Sequence, residues 1–270
     1  MTTITELLCF GAQPGQGNPA LVVQRDGWDT AQRQHFAHAQ QRSACVFIDR
    51  ADDGGVVLDY FYPHTRSPLC LHATLAAAAV LLDDAAGTMT VRTALRGQPL
   101  RLSRTGAGYF VALERQPAPS VALAADLPAR LLDLPGVRLA SAPLVVSAGS
   151  PKLLLELPDC ATLQALRPDL ALIAAWGQEH GVNGCYAWAR RADGAIEGRS
   201  FNHLDPALED SATGVAAAAL TLHLGHGIAL HQGANRGQPC LLRTALQGET
   251  VLVGGAAEAI PYHTKAVRTI

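Results

Sequence analysis

Two short stretches bring together most of the side chains that could do chemistry by spacing alone. In Leu69-Cys70-Leu71-His72-Ala73-Thr74 a thiol and an imidazole lie two residues apart, at the expected start of an Ala-rich helix. In Glu209-Asp210-Ser211-Ala212-Thr213-Gly214 a carboxylate, two hydroxyls and a glycine lead into a second Ala-rich helix. A helix start presents N–H groups without intrahelical acceptors and the positive end of the helix dipole, so it binds a carboxylate or other anion without needing a lysine or arginine. Thiols beside such a start and imidazoles near neutrality both exchange protons. The plainest use of Asp210 and Ser211 is as N-caps, and of Cys70 and His72 as a buried thiol beside a hydrogen-bonded ring. The reactive use is proton transfer on a small acid held by both helix starts, with Gly214 allowing close approach to the backbone.

The elements around these stretches come in the same order twice. Strands at 5–10 and 20–24, a helix over 29–41 capped by Asp29, a hairpin of 44–49 with 56–63 around Asp52-Asp53-Gly54-Gly55, a helix over 69–84 and three short strands up to 114 fill the first part. Pro117 and Pro119 mark a connection. Strands at 144–147 and 152–157, a helix over 168–181, a hairpin of 185–190 with 196–202, a helix over 211–224 and closing strands follow. We therefore expect two domains, 1–115 and 120–270, with the last strand free to return to the first half. The two Ala-rich helices also match in letters, His72 to Ala79 against Ala212 to Ala219, in a register uncertain by one residue. That is the mark of an internal duplication. Helices apolar on every side are wrapped by a sheet, so each half is expected to be an α/β unit in which a strongly curved sheet surrounds its own helix.

Composition narrows the function. With Lys+Arg 21 against Asp+Glu 23 and no basic stripe, the chain lacks the electrostatic footprint of a nucleic-acid binder. The most apolar stretch, 69–82, falls short of the roughly 20 residues a bilayer span needs, and the first ten residues do not read as a secretory signal, so a cytoplasmic protein with no membrane partner is expected. Six scattered cysteines show no C-x-x-C pair and fit free thiols. His35 with His38, and His223 with His226, are three apart on expected helices but have no evident third ligand, so no metal is expected.

Five motifs in chain order make the reading specific. Gly17-Asn18-Pro19-Ala20-Leu21-Val22-Val23, Tyr60-Phe61-Tyr62-Pro63 with Cys70-Leu71-His72-Ala73-Thr74, Ser147-Ala148-Gly149-Ser150-Pro151-Lys152-Leu153-Leu154, Glu209-Asp210-Ser211-Ala212-Thr213-Gly214, and Gln232-Gly233 with Arg236-Gly237-Gln238-Pro239 resemble the motifs of the PhzF type of phenazine-biosynthesis isomerases. The resemblance implies the diaminopimelate epimerase-like fold, with a ligand in the cleft between two halves. It implies a homodimer, and a cofactor-independent isomerase or epimerase that moves a proton on a small amino or hydroxy carboxylate. It carries proton-transfer roles to Asp210 and His72, and ligand contacts to Asn18, Ser43, Leu71, Ala73, Ser211, Thr213, Gly214 and Val215. Cys70 falls where related epimerases keep a catalytic thiol, and Ser211 falls near their second one. One family residue is missing: Gln41-Arg42-Ser43-Ala44-Cys45 replaces N-L-S-E-T, so the usual acid/base Glu is Ala44. Leu71 and Val215 also make the site tighter and more apolar than the family pattern. Cys70 paired with Asp210, His72 alone, or more weakly Cys45 remain as proton carriers. The alternatives are a catalytically inactive small-carboxylate binding protein of the same fold, or a hydrolase or dehydratase using Cys70 as nucleophile.

Overall fold

The computed structural model of the chain describes residues 2–42, 44–82, 87–106, 108–201 and 209–262. Its contacts divide it into two compact units, Met1–Ala112 with the segment that begins at Gly254, and Leu113–Val253.

The first unit contains β1 (Thr3–Cys9), β2 (Asn18–Gln24), α1 (Thr30–Gln40), β3 (Ala44–Arg50), β4 (Val56–Phe61), β5 (Arg66–Ser67), α2 (Leu71–Leu81), β6 (Thr88–Thr93), β7 (Pro99–Thr105) and the start of β8 (Gly108–Glu114). Strand β2 runs parallel to β3, β3 antiparallel to β4, β4 antiparallel to β5 and parallel to β6, and β6 antiparallel to β7. Helix α2 is buried along most of its length and touches β1, β2, β3, β4 and β7. One helix reaches strands so far apart only if the sheet curves around it, and an alanine-rich surface lets the strands come close on every side. Helix α1 covers the outer face. Asp29 caps it with a capping box to Gln32, and its Phe36 and Ala37 pack with Leu21, Val23, Cys45, Phe47 and Phe61.

The second unit contains α3 (Leu127–Leu131), β9 (Leu144–Ser147), β10 (Pro151–Glu156), α4 (Cys160–Ala165), α5 (Leu170–His180), β11 (Cys185–Arg190), β12 (Ile196–Phe201), β13 (Glu209–Asp210), α6 (Gly214–Leu224), β14 (Ala229–Gln232), β15 (Cys240–Gln247) and the start of β16 (Thr250–Gly255). The pairing repeats that of the first unit: β10 parallel to β11, β11 antiparallel to β12, β12 antiparallel to β13 and parallel to β14, and β14 antiparallel to β15. Helix α6 packs on β9, β10 and β15, while the opposite face is covered by an outer core that includes Leu163 and Ile173. The chain then returns to the first unit as β17 (Ala257–Ile260), antiparallel to β1.

The duplication extends to single rows of residues. Leu21, Cys45, Phe61 and Arg66 are successive cross-strand partners in the first unit, and Leu153, Cys185, Phe201 and Glu209 form the same row in the second. In both units the second strand of the hairpin carries an ion pair to the short strand beside it. The polarity is reversed, with Asp59 accepting from Arg66 in one unit and Arg199 donating to Glu209 in the other. Each arginine also lies over the phenylalanine of its row.

Several elements differ from expectation. The helix expected over 168–181 is α5, capped by Asp169, but an additional short helix that was not expected, α4, precedes it and stops ahead of Arg167-Pro168. Helix α6 begins at Gly214 rather than 211, with Thr213 as N-cap, so neither Asp210 nor Ser211 is the cap. The two central helices therefore align from Leu71 and Gly214. This pairs Cys70 with Thr213 and His72 with Val215, three residues away from the match in letters.

Candidate functional site

In the first unit the candidate side chains sit at the start of α2. Cys70 is the N-cap, in extended conformation, and its Sγ lies 3.4 Å from Nδ1 of His72. Both residues are almost wholly buried, as are Leu71 and Ala73 beside them. A thiol and an imidazole at this distance are within hydrogen-bond reach of each other. The helix start is fixed from below: Thr74 Oγ1 donates to the Cys70 carbonyl at 2.8 Å and lies 2.7 Å from the Tyr60 hydroxyl. Because threonine has one hydroxyl hydrogen, Tyr60 is the donor in the second bond. Burial first, and then the nearby Cys70, push the Tyr60 phenol well up, so it remains protonated and keeps donating. Thr74→Val is nearly isosteric but leaves that phenol without its acceptor and removes one of two hydrogen bonds to the Cys70 carbonyl, which keeps the Thr74 N–H. It is expected to lower unfolding free energy by about 2 kcal/mol in urea titrations, with Thr74→Ser recovering most of the loss.

Ala44 opens β3, is buried, and is the Cα partner of Ala20. Its methyl group carries no proton. Cys45, the neighbouring candidate, belongs to the outer core with Phe36, Phe47 and Phe61, on the face away from α2. Burial pushes its thiol up to about 12, with Cys70 adding to the shift and Arg42 opposing it, so it is neutral and is set aside as a proton carrier. Asn18 is buried at the first position of β2. Ser43 lies outside the described residues.

In the second unit the site is built on β13 and the turn into α6. Thr213 Oγ1 donates to Asp210 Oδ2 at 2.6 Å, and the Ala212 N–H reaches Oδ1 at 3.4 Å. The carboxylate of half-buried Asp210 is thus held at the helix mouth in one orientation. Gln232 fixes the whole turn: its Nε2 donates to the Asp210 carbonyl at 2.7 Å and to Thr213 Oγ1 at 3.1 Å. Its Oε1 accepts from the Tyr186 hydroxyl at 2.9 Å and from the Thr213 N–H at 3.3 Å. Ser211 is buried and donates to Gln238 Oε1 at 2.5 Å. Gly233, at φ 86°, passes beneath, where a Cβ would strike the Ser211 and Gln238 carbonyls. Gly214 and Val215 are the first two residues of α6. Gln232 and Gln238 stood in a motif but had no role in the sequence reading, and Tyr186 looked like an ordinary strand residue.

Among the described residues no group of three or more His, Cys, Asp and Glu side chains could hold a metal ion. Three of the four histidines weighed for that role have other neighbours: His38 Nδ1 lies against the Pro63 carbonyl, His226 Nδ1 against the Gly227 carbonyl, and His223 packs edge-on to Trp188. No described helix is long and apolar enough to cross a membrane.

A curved sheet around a central helix, repeated in the two units, defines an α/β protein of the diaminopimelate epimerase-like class. The chain matches the model of the phenazine biosynthesis-like (PhzC-PhzF) proteins over residues 8–260 and belongs to that family. It is 35% identical over 236 residues to an uncharacterized isomerase of Deinococcus radiodurans, covering 82% of this chain and 75% of the relative. It is 29% identical over 255 residues to trans-2,3-dihydro-3-hydroxyanthranilate isomerase of Pseudomonas fluorescens, covering 88% of each. The solved structure of a predicted epimerase from Pseudomonas aeruginosa matches with a TM-score of 0.78 at 25% identity, over 96% of each chain. These relatives place the chain among isomerases.

Proposed function

We propose that the protein is a cofactor-independent isomerase or epimerase that moves one proton on a small amino or hydroxy carboxylate. The ligand's carboxylate is the kind of group that the N–H-rich start of a helix such as α6 binds. Asp210 takes the proton from the carbon next to that carboxylate, and the C–H electron pair moves into the carboxylate as an enediolate. The Cys70–His72 pair returns a proton to the same carbon from the other side or to a conjugated carbon. One proton leaves and one arrives, so no oxidant or reductant is involved. Localisation in the cytoplasm and a homodimeric state belong to the same proposal.

The observation that carries it is the fixing of Asp210 by Thr213, Ala212 and, through the backbone, Gln232 at the mouth of α6. The test is α-proton exchange in heavy water over a panel of small amino, hydroxy and cyclic unsaturated carboxylates, followed by NMR. Deuterium uptake by at least one compound, abolished in Asp210→Asn, is expected. Uptake by none of them, together with unchanged ligand binding in Asp210→Ala, would overturn the proposal.

The second reading, a carboxylate-binding protein without catalysis, is favoured by one observation: a buried methyl group at Ala44, against Ala20, where the family carries a carboxylic acid. Ala44→Glu separates the two. Exchange gained only in that variant identifies the parent as a binding protein, while exchange already present in the parent removes that reading.

A further inference from the structure

The chain carries nineteen arginines and only two lysines, Lys152 and Lys265. Arginine stays charged in proteins, so nearly all the cations of this molecule are fixed. Lys265 lies outside the described residues. Lys152 is 0% exposed, an extreme position for a lysine.

Its place follows from the repeat. Gly17-Asn18-Pro19-Ala20-Leu21 leads into β2 as Gly149-Ser150-Pro151-Lys152-Leu153 leads into β10, and Leu21 and Leu153 hold equivalent rows against Cys45 and Cys185. Lys152 is therefore the counterpart of Ala20, the residue that faces Ala44 in the first unit. Leu153 and Leu155 enter the outer core, so strand alternation turns Lys152 and Leu154 toward the face that α6 covers.

The ammonium donates to the Asn183 carbonyl at 2.5 Å, its only hydrogen-bond acceptor among the described residues. Two of its three N–H groups have no such partner there. The titratable groups that act on it are Asp210 from β13 and Cys185 from β11. Strand β9 has no titratable side chain, and α6 has only His223, in its last turn. Burial pushes the Cys185 thiol up to about 12, which leaves it neutral, so among the described residues Asp210 is the anion that opposes this buried charge. Burial outweighs that attraction and brings Lys152 down to about 8.

We propose that Lys152 is a positioning residue for Asp210, a buried proton-bearing cation that supports the carboxylate's negative charge from inside the second unit. The inference rests on the proposed function for what Asp210 does. What Lys152 does to it rests on a shared face of the sheet, where Leu154, two residues beyond Lys152, leads through its cross-strand partners Tyr186 and Ser200 to Asp210. In protein labelled with ¹³C at lysine Cε only two resonances are expected, and Lys152→Arg assigns them by removing one. Titrated from about pH 6 to pH 11, Lys152 should deprotonate well below Lys265, and its midpoint should fall by a further ~0.5–1 unit in Asp210→Asn, where the attraction is gone. A Lys152 midpoint that matches that of Lys265, or one unmoved in Asp210→Asn, overturns the inference. The exchange assay supplies the second readout. An alkaline decline in kcat near pH 8 that disappears in Lys152→Arg supports the coupling, and a decline that persists in a folded Lys152→Arg argues against it. If the parent exchanges no substrate proton, the proposed function fails, whereas the titration still decides the role of Lys152.

Discussion

Asp210→Asn is expected to lower α-proton exchange by about 10²- to 10⁴-fold, the usual share of a positioned general acid or base. Asparagine has the same shape and keeps one oxygen, which accepts from the Thr213 hydroxyl in place of Oδ2 while the long Ala212 N–H contact is lost, so the turn into α6 should largely hold its form. Gln232 contacts the backbone carbonyl of residue 210, not its side chain, and that anchor is untouched. The loss should therefore appear in kcat with little change in KM, and the melting temperature should move by no more than a few degrees. A loss confined to KM would assign Asp210 to ligand binding. Full activity in the variant would transfer the chemistry to Cys70 and His72.

Lys152→Met is expected to stabilise the protein at neutral pH by about 3 kcal/mol. The folded state holds the Lys152 proton with a pKa of about 8, against 10.5 for an ordinary lysine. Below pH 8 the group is charged in both states, and folding bears the full cost of burying an ammonium. Between about 8 and 10.5 the unfolded chain binds more protons than the folded one, so stability of the parent rises with pH across that window. Above it the group is neutral in both states and the cost is gone. At roughly 1.4 kcal/mol per unit, that shift sets the size of the effect. Methionine fills nearly the same volume without a charge, so its advantage should be greatest at and below pH 8 and shrink toward pH 10.5. Urea unfolding at several pH values measures both trends. A parent whose stability does not rise in that window, or a methionine variant less stable than the parent at pH 7, would show that the ammonium is well compensated in the fold. Together with the first prediction this describes a site that tolerates a stability cost to keep a titratable cation near Asp210.

The amino-acid sequence by itself determined the features set by neighbours along the chain. Cys70 and His72 fall at a helix start because an extended residue precedes an alanine run, and Asp29 caps α1 because the Gln three residues on completes the capping box. The two hairpins follow from turn residues between apolar runs, and Asp210 is marked by its place just ahead of a second alanine run. Tertiary structure decided whatever depends on which face of a strand looks inward. Strands β2, β3, β10 and β11 are covered on both sides, so they read as continuous apolar runs, and period-2 alternation gives no sign of which side meets the central helix. For that reason Cys45 looked like a neighbour of the vacant acid position and proved to belong to the outer core. Lys152, an ordinary surface letter in a sequence, proved to be an interior cation. The alanine-rich helices are too repetitive to fix their own register, and only the cross-strand rows ending at Arg66 and Glu209 set Cys70 against Thr213. The hydrogen bonds of Gln232 and Tyr186 join residues 19 to 46 positions apart, and the return of β17 to β1 spans almost the whole chain. Such contacts exist only after the sheets have closed, and local propensity carries no information about them.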